Sequence, residues 1–382
     1  MVLLPIIIFG CYFVILGLLI MGWNRGMRKD LNLELEKSKL FVSVIIPVRS
    51  ESRNIEALLV DLENQDYADF EVIVVDDHSE DNTVSIVQEF VNRNSRFRVI
   101  SNNGDGKKAA LTRGIEASKG SIIITTDADC IVSAEWVSIL SGFFKPGDVK
   151  MVFGGVRMET NSIFSRLQAL EFASLIGSGI AMAALKYPVM CNGANLAFRK
   201  SVFEEVEGYQ GNLHIPSGDD EFLMRKILAL YPNGVKTVLH KQAVVATKPN
   251  HTLKEFFQQR IRWAGKWSAN SSVMSTMLAL FVFCFQLTTV FLPVFVLIGW
   301  IDIQTGVILM LSKASLEFIF LDKVSRFLSL PWNWVSFAIL QLMYPLYIVI
   351  VGVLSNFNSF EWKGRKLKSL TVSNKMNKES LG

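Results

Sequence analysis

The chain has 382 residues, half of them apolar and only 19% charged, with 39 Lys and Arg against 35 Asp and Glu. A formal charge of +4, with no segment that gathers basic and aromatic residues, argues against a nucleic-acid binder. Cys11, Cys130, Cys191 and Cys284 show no C-x-x-C and no ligand spacing to a histidine, which argues against a disulfide framework or a zinc site.

The charges are unevenly placed. Most lie between Asn24 and Lys266 and again from Glu361 on, and long neutral runs sit outside those regions. That pattern describes a soluble domain tethered by membrane segments, with the domain on the reducing side. Val2 to Met21 is an apolar run of the length a bilayer core requires, about 20 residues. No basic stretch precedes it and no small-residue cleavage site closes it, so it reads as a retained anchor. Arg25, Arg28 and Lys29 follow at once, which places the emerging chain in the cytoplasm. The expected division is an anchor over residues 1–22, a catalytic domain over 41–267, a membrane region of two or three spans over 273–356, and a basic tail over 357–382.

Phe41 to Pro47 reads as the first strand, Glu51 to Asn64 as a helix, and Glu71 to Val75 as a strand ending in Asp76-Asp77. A helix from Thr83 to Asn92, a strand from Arg98 to Ile100, a helix from Lys107 to Ala117 and a strand from Ser121 to Ile124 complete the pattern. Alternating strands and helices predict an α/β fold with a parallel, doubly wound sheet. Ligands of such sheets bind at the carboxyl ends of the strands. Asp76-Asp77 falls there, and so does Asp127-Ala128-Asp129. Side chains two apart at a strand end face one point, and hard cations take carboxylate oxygens. Alone, D-x-D is equally a polar turn. Gly104-Asp105-Gly106-Lys107-Lys108 lacks Walker spacing. Its lysine either meets a phosphate at a helix start or decorates a solvated turn. The four histidines, His78, His214, His240 and His251, read as structural or surface groups.

In the second half, Ser162 to Leu185 is either a buried helix or one lying on the membrane surface. Thr252 to Trp267 is an amphipathic interfacial candidate with Trp263 and Trp267 on one face. Ser268 to Ile301 holds a span interrupted by Pro293, and Val335 to Leu354 holds another. Ile303 to Leu321 is ambiguous, because Lys313 and Glu317 are costly in a bilayer unless they pair. Whether it spans decides the side on which Lys363, Arg365, Lys366 and Lys368 lie.

The series Ile46-Pro47-Val48-Arg49-Ser50-Glu51, Val74-Val75-Asp76-Asp77-His78-Ser79, Gly106-Lys107-Lys108-Ala109-Ala110-Leu111 and Thr126-Asp127-Ala128-Asp129 resembles family 2 glycosyltransferases. That group includes cellulose, chitin and hyaluronan synthases and ceramide glucosyltransferase-like enzymes. Cys191 to Arg199 looks like the family's acceptor-side loop, Ser217 to Glu221 stands where it carries its catalytic aspartate, and Gln259 to Trp263 fits Q-x-x-R-W.

The resemblance implies a GT-A fold and an inverting transfer from a nucleotide-sugar, a UDP-sugar in the first instance, to a lipid-linked or polysaccharide acceptor at the inner face of a cell membrane. It implies that Pro47, Glu51, Asp76, Asp77, Lys107, Asp127 and Arg262 hold the donor. Asp129 with Asp127 would hold Mg²⁺ or Mn²⁺. Asp220 would be the general base, with Asp219 the alternative because G-D-D here replaces the commoner E-D. Asn192, Gly193, Gln259 and Trp263 would serve the acceptor. A processive synthase would export its polymer, which usually takes more spans than follow Trp267. A nucleotidyltransferase would need a glycine-rich loop after the first strand, and Val48 to Asn54 contains no glycine. A non-catalytic scaffold would tolerate loss of Asp127, Asp129, Asp220 and Arg262.

Overall fold

The structure is a computed structural model that describes residues 3–30, 39–144, 147–213, 215, 218–265, 273–355, 360–362 and 365–367. Its frame is a seven-stranded sheet in the order β3-β2-β1-β4-β7-β5-β8. These strands are β1 (Val42–Val48), β2 (Phe70–Asp76), β3 (Phe97–Ser101), β4 (Ile122–Thr125), β5 (Met151–Gly154), β7 (Leu196–Arg199) and β8 (Val235–Val238). β1, β2 and β4 are almost entirely buried, as their continuous apolar runs require of strands covered on both faces. Each fully buried Ile or Val there contributes roughly 1.5–3 kcal/mol.

β3, β2, β1 and β4 are mutually parallel, as expected, but β7 runs antiparallel to both β4 and β5. The sheet is therefore mostly parallel and not wholly so. A small parallel pair, β6 (Val156–Met158) with β9 (Val245–Thr247), stands beside it.

Strand order changes direction between β1 and β4, which leaves a crevice at their carboxyl ends. The last β1–β4 partner pair is Ile45 with Thr125. Pro47 lies beyond that ladder, where a strand tolerates a residue without an N–H. β1 carries on to Val48 beside β2, while the chain after β4 turns away carrying Asp127 and Asp129.

Helix α1 (Leu3–Asp30) is more than an appended anchor. Its Leu16, Leu19 and Trp23 belong to the same buried cluster as the sheet. It crosses α6 (Ile163–Ala184) so closely that a Cβ on Gly22 would meet the Ala181 carbonyl oxygen at 2.4 Å. Small residues at such crossings let apolar helices approach. α6 is over half buried, against α1, the sheet and the two last long helices, so of its two readings the buried one holds.

By length and composition, four described helices can cross a membrane: Leu3–Arg28, Ile163–Ala184, Ser275–Leu297 and Trp334–Leu354. The helix Val273–Leu297 runs unbroken through Pro293, contrary to the expected interruption, since a proline is tolerated where neighbouring helices surround an apolar segment. The ambiguous segment is one helix, Ile303–Phe327. Its Lys313 is only 1% exposed and bonds Glu317 at 2.9 Å and Gln341 at 2.9 Å. Gln341 also donates to Glu317, and the Tyr12 hydroxyl donates to it at 2.6 Å. These charges are thus paired across three helices. Lys363, the basic tail from Lys368 onward, and Lys266 with Trp267 lie outside the described residues.

Candidate functional site

Three turns converge on the crevice. The first opens α4 (Lys107–Ala117), the second follows β4, and the third opens α8 (Asp219–Leu230) beneath the loop at Asn192 and Gly193. The Lys107 ammonium donates to Asp127 Oδ1 at 2.7 Å and stands 3.6 Å from Asp219 Oδ2. Burial works against this charge, yet Asp127, Asp219 and Asp220 together hold the lysine's pKa above its ordinary value. Of the two sequence readings, the solvated turn is excluded.

Asp220 accepts from the Gly193 N–H at 3.0 Å and from the Glu221 N–H at 2.8 Å. The Gly193 carbonyl is fixed in turn by the Thr125 hydroxyl at 2.8 Å. A Cβ at Gly193 would lie 3.1 Å from Asp219 Oδ2, so the position suits the residue with no side chain. Arg262, on α9 (Leu253–Gly265), completes the polar wall. Burial lowers its pKa, opposed by the charges of Asp219, Asp127 and Asp220.

These residues line a cavity of about 360 Å³ that also takes in Asn192, Gln259 and Trp263. Nine of the expected site residues therefore share one wall: Lys107, Asp127, Asn192, Gly193, Asp219, Asp220, Gln259, Arg262 and Trp263. The Trp263 ring is tilted against Phe172, with centroids 6.0 Å apart, and carries the Arg260 guanidinium at 4.4 Å. The Gln259 carbonyl oxygen is held by Asn250 and Arg260.

Other expected donor ligands lie outside this cavity. Asp77 is buried and accepts from Asn102 at 2.8 Å and from the Gly106 N–H at 3.0 Å, tying the β2 end to the turn that starts α4. Asp76 caps its own turn through the Ser79 N–H. Glu51 accepts from Asn54 at 2.7 Å and sits close enough to Asp129 to raise its pKa. His78 contacts the Gly104 carbonyl and stands 3.8 Å from Asp105, a loop contact in keeping with a structural histidine. His78, Asp77 and Asp105 offer ligand atoms within 4.8 Å of one another, but the Asp77 carboxylate is already engaged. His214 lies outside the described residues.

Two features escaped sequence reasoning. Arg260, the second residue of the Gln259–Trp263 motif, is 3% exposed and grips Glu171 of α6 through Nε and Nη2, with the Tyr347 hydroxyl also donating to that carboxylate. A lone acid in an otherwise apolar helix was the available signal, since such a group needs a partner. Asn195 is fully buried, donates to the Gly155 and Ala243 carbonyls, and accepts from the Trp136 indole. It pins the loop that carries Asn192 and Gly193 to the core.

Residues 43–207 match Glycosyl transferase family 2. The chain is 30% identical over 234 residues to glycosyltransferase AglE of Haloferax volcanii, spanning 58% of this chain and 71% of that protein. The chain belongs to glycosyltransferase family 2. It is also 26% identical over 227 residues to the poly-beta-1,6-N-acetyl-D-glucosamine synthase of Staphylococcus epidermidis, and 27% over 250 residues to that of Staphylococcus aureus strain COL. It spans 53% and 57% of those synthases, little more than half of each. The fold matches that of the mannosyltransferase PcManGT from Pyrobaculum calidifontis, solved with GDP-Man and Mn²⁺. The TM-score is 0.54 at 16% identity, covering 92% of this chain and 99% of that one. The architecture is GT-A.

In this glycosyltransferase the D-x-D residues fit a divalent cation. Burial, then the neighbouring Asp127 and Glu51 carboxylates, push the Asp129 pKa up to about 6, while the Thr247 hydroxyl donates to it at 3.0 Å and works the other way. Partly buried carboxylates that repel one another are a donor set whose strain a cation relieves. The sign follows. A folded-state pKa above the unfolded value means that the carboxylate's burden appears as pH rises through about 4 to 6, and a metal must displace the proton below about 6. Mn²⁺ binding, followed by calorimetry, is expected to weaken about fivefold from pH 6 to pH 5 and to level off above pH 7. A flat profile would remove Asp129 from the ligand set.

Proposed function

We propose that this protein transfers a sugar from a nucleoside diphosphate donor to an acceptor hydroxyl at the cytoplasmic face of a cell membrane that it crosses several times. The observation that carries the reading is the convergence of Asp220, Asp219, Lys107, Asp127 and Arg262 on one cavity at the carboxyl ends of the central strands. Arg262 and Lys107 stand opposite the donor phosphates, where the planar guanidinium suits phosphate oxygens and the lysine adds a point charge. Asp220 takes the proton of the acceptor hydroxyl, and its carboxylate is aimed by the Gly193 and Glu221 N–H groups. The acceptor oxygen bonds to the anomeric carbon as the bond to the diphosphate breaks, so one displacement inverts that centre. Mg²⁺ or Mn²⁺ held by Asp129, with Asp127, supplies positive charge at the leaving diphosphate when bound. Asn192, Gly193, Gln259 and Trp263 border the acceptor side. Pro47, Glu51, Asp76 and Asp77 support the donor pocket, Asp77 through the loop it ties down.

A processive polysaccharide synthase is the second reading, favoured by the likeness to the staphylococcal poly-N-acetylglucosamine synthases. The test is transfer and donor hydrolysis by membranes bearing the protein, over a panel of UDP- and GDP-sugars with Mn²⁺, Mg²⁺ or EDTA. Turnover of one donor, abolished by EDTA and by Asp129→Ala, is expected. A product that lengthens without release favours the processive reading. No turnover and no nucleotide binding would refute transfer altogether.

A further inference from the structure

The cavity has a second half. From Asp220 it continues past Trp263 into a groove between α6 and the helix Trp334–Leu354, walled by Leu175, Ile176, Ile180, Met190, Ile348 and Val351. Of the polar groups on the way, Glu171, Arg260 and Tyr347 are joined through the Glu171 carboxylate, Gln259 is held by Asn250 and Arg260, and Tyr344 lies against Tyr347. A glycan laid in this groove would bury hydroxyls against hydrocarbon, each leaving its water partners without replacement. A hydrocarbon chain would exchange water contact for apolar contact along its length. The helix Trp334–Leu354 also turns a different side outward, exposing Leu342, Met343, Leu346 and Ile350 as a bilayer-facing helix does. One helix therefore separates the groove from the lipid phase.

We propose that the acceptor is a hydroxyl-bearing membrane lipid whose hydrocarbon chain lies between α6 and the helix Trp334–Leu354, with its hydroxyl presented to Asp220. This rests on the transferase reading above and narrows its acceptor. Trp263, at the junction of the two halves, borders the headgroup. Specificity then divides, with the polar half choosing the donor and the groove demanding a chain.

The test uses the full chain in phosphatidylcholine nanodiscs with hexadecanol carrying a chain-borne diazirine, irradiated and mapped by mass spectrometry. Adducts are expected on Leu175, Ile176 and Ile348 in addition to the bilayer-facing Leu342 and Met343. Leu175→Trp and Ile348→Trp, which fill the groove, should cut the groove adducts several-fold and leave the bilayer-facing ones unchanged. Adducts on Leu342 and Met343 alone overturn the proposal. So does labelling of the groove by a photoreactive N-acetylglucosamine oligomer in preference to the alcohol, which assigns it to a polymer. UDP and GDP binding is measured by calorimetry on the same discs. Retained nucleotide binding without groove adducts sinks only the lipid proposal, whereas lost nucleotide binding sinks the transferase reading beneath it.

Discussion

Asp220→Asn is expected to lower kcat by roughly 10²–10⁴-fold while moving the donor KM by no more than about twofold. The substitution keeps shape and removes the proposed proton acceptor. It also puts an amide where one carboxylate oxygen met either the Gly193 or the Glu221 N–H, so one of two orienting hydrogen bonds is lost with the base. Steady-state kinetics with the donor identified by the panel would read it, with a thermal melt to show that the fold persists. Asp219→Asn is the necessary companion, because the two carboxylates are adjacent. Asp219 faces Lys107 at 3.6 Å, so its loss should weaken donor binding and raise KM more than it lowers kcat. If Asp219→Asn instead abolishes turnover while Asp220→Asn spares it, the base assignment moves by one residue.

Glu171→Leu or Arg260→Met alone is expected to destabilise the protein by about 3–5 kcal/mol, because each leaves the other charge buried without its partner. Side-chain exposures of 4% and 3% leave little water to compensate. The effect spreads, since Arg260 also lies over the Phe256 and Trp263 rings and Glu171 also receives the Tyr347 hydroxyl. The double variant Glu171→Leu with Arg260→Met should recover more than half of either single loss, as buried ion pairs replaced together by apolar groups often cost little. Unfolding in detergent by heat and by denaturant would measure it. A double variant as unstable as the sum of the singles would show that the pair acts through its separate contacts and not as a unit.

β1, β2 and β4 were legible because each is a short β-branched run needing cover on both faces, and the D-x-D residues because they follow one of those runs directly, whereas β5, β7 and β8, four residues long apiece, were not foreseen. What escaped was non-local. The reversal of β7 leaves no mark on Leu-Ala-Phe-Arg, since a four-residue strand reads the same in either direction. The pairing of Arg260 leaves no local mark, because its partner lies 89 residues away on a helix whose surroundings composition does not reveal. The standing of Lys107 was undecidable locally because the carboxylates that hold it belong to two other turns. The Lys313–Glu317 pair was visible at helical spacing, but Gln341 and Tyr12, which complete it, come from other helices.

That last linkage bears on how the protein is made. Tyr12 and Glu317 are 305 residues apart. At a ribosomal rate of about 5–20 residues per second, the first helix is made roughly 15–60 seconds before its hydrogen-bonding partner. In that interval its hydroxyl must be satisfied by water or by a temporary partner. The helix bundle can therefore latch only near the end of translation, after the strands that pack against Leu16, Leu19 and Trp23 of the same helix have been made.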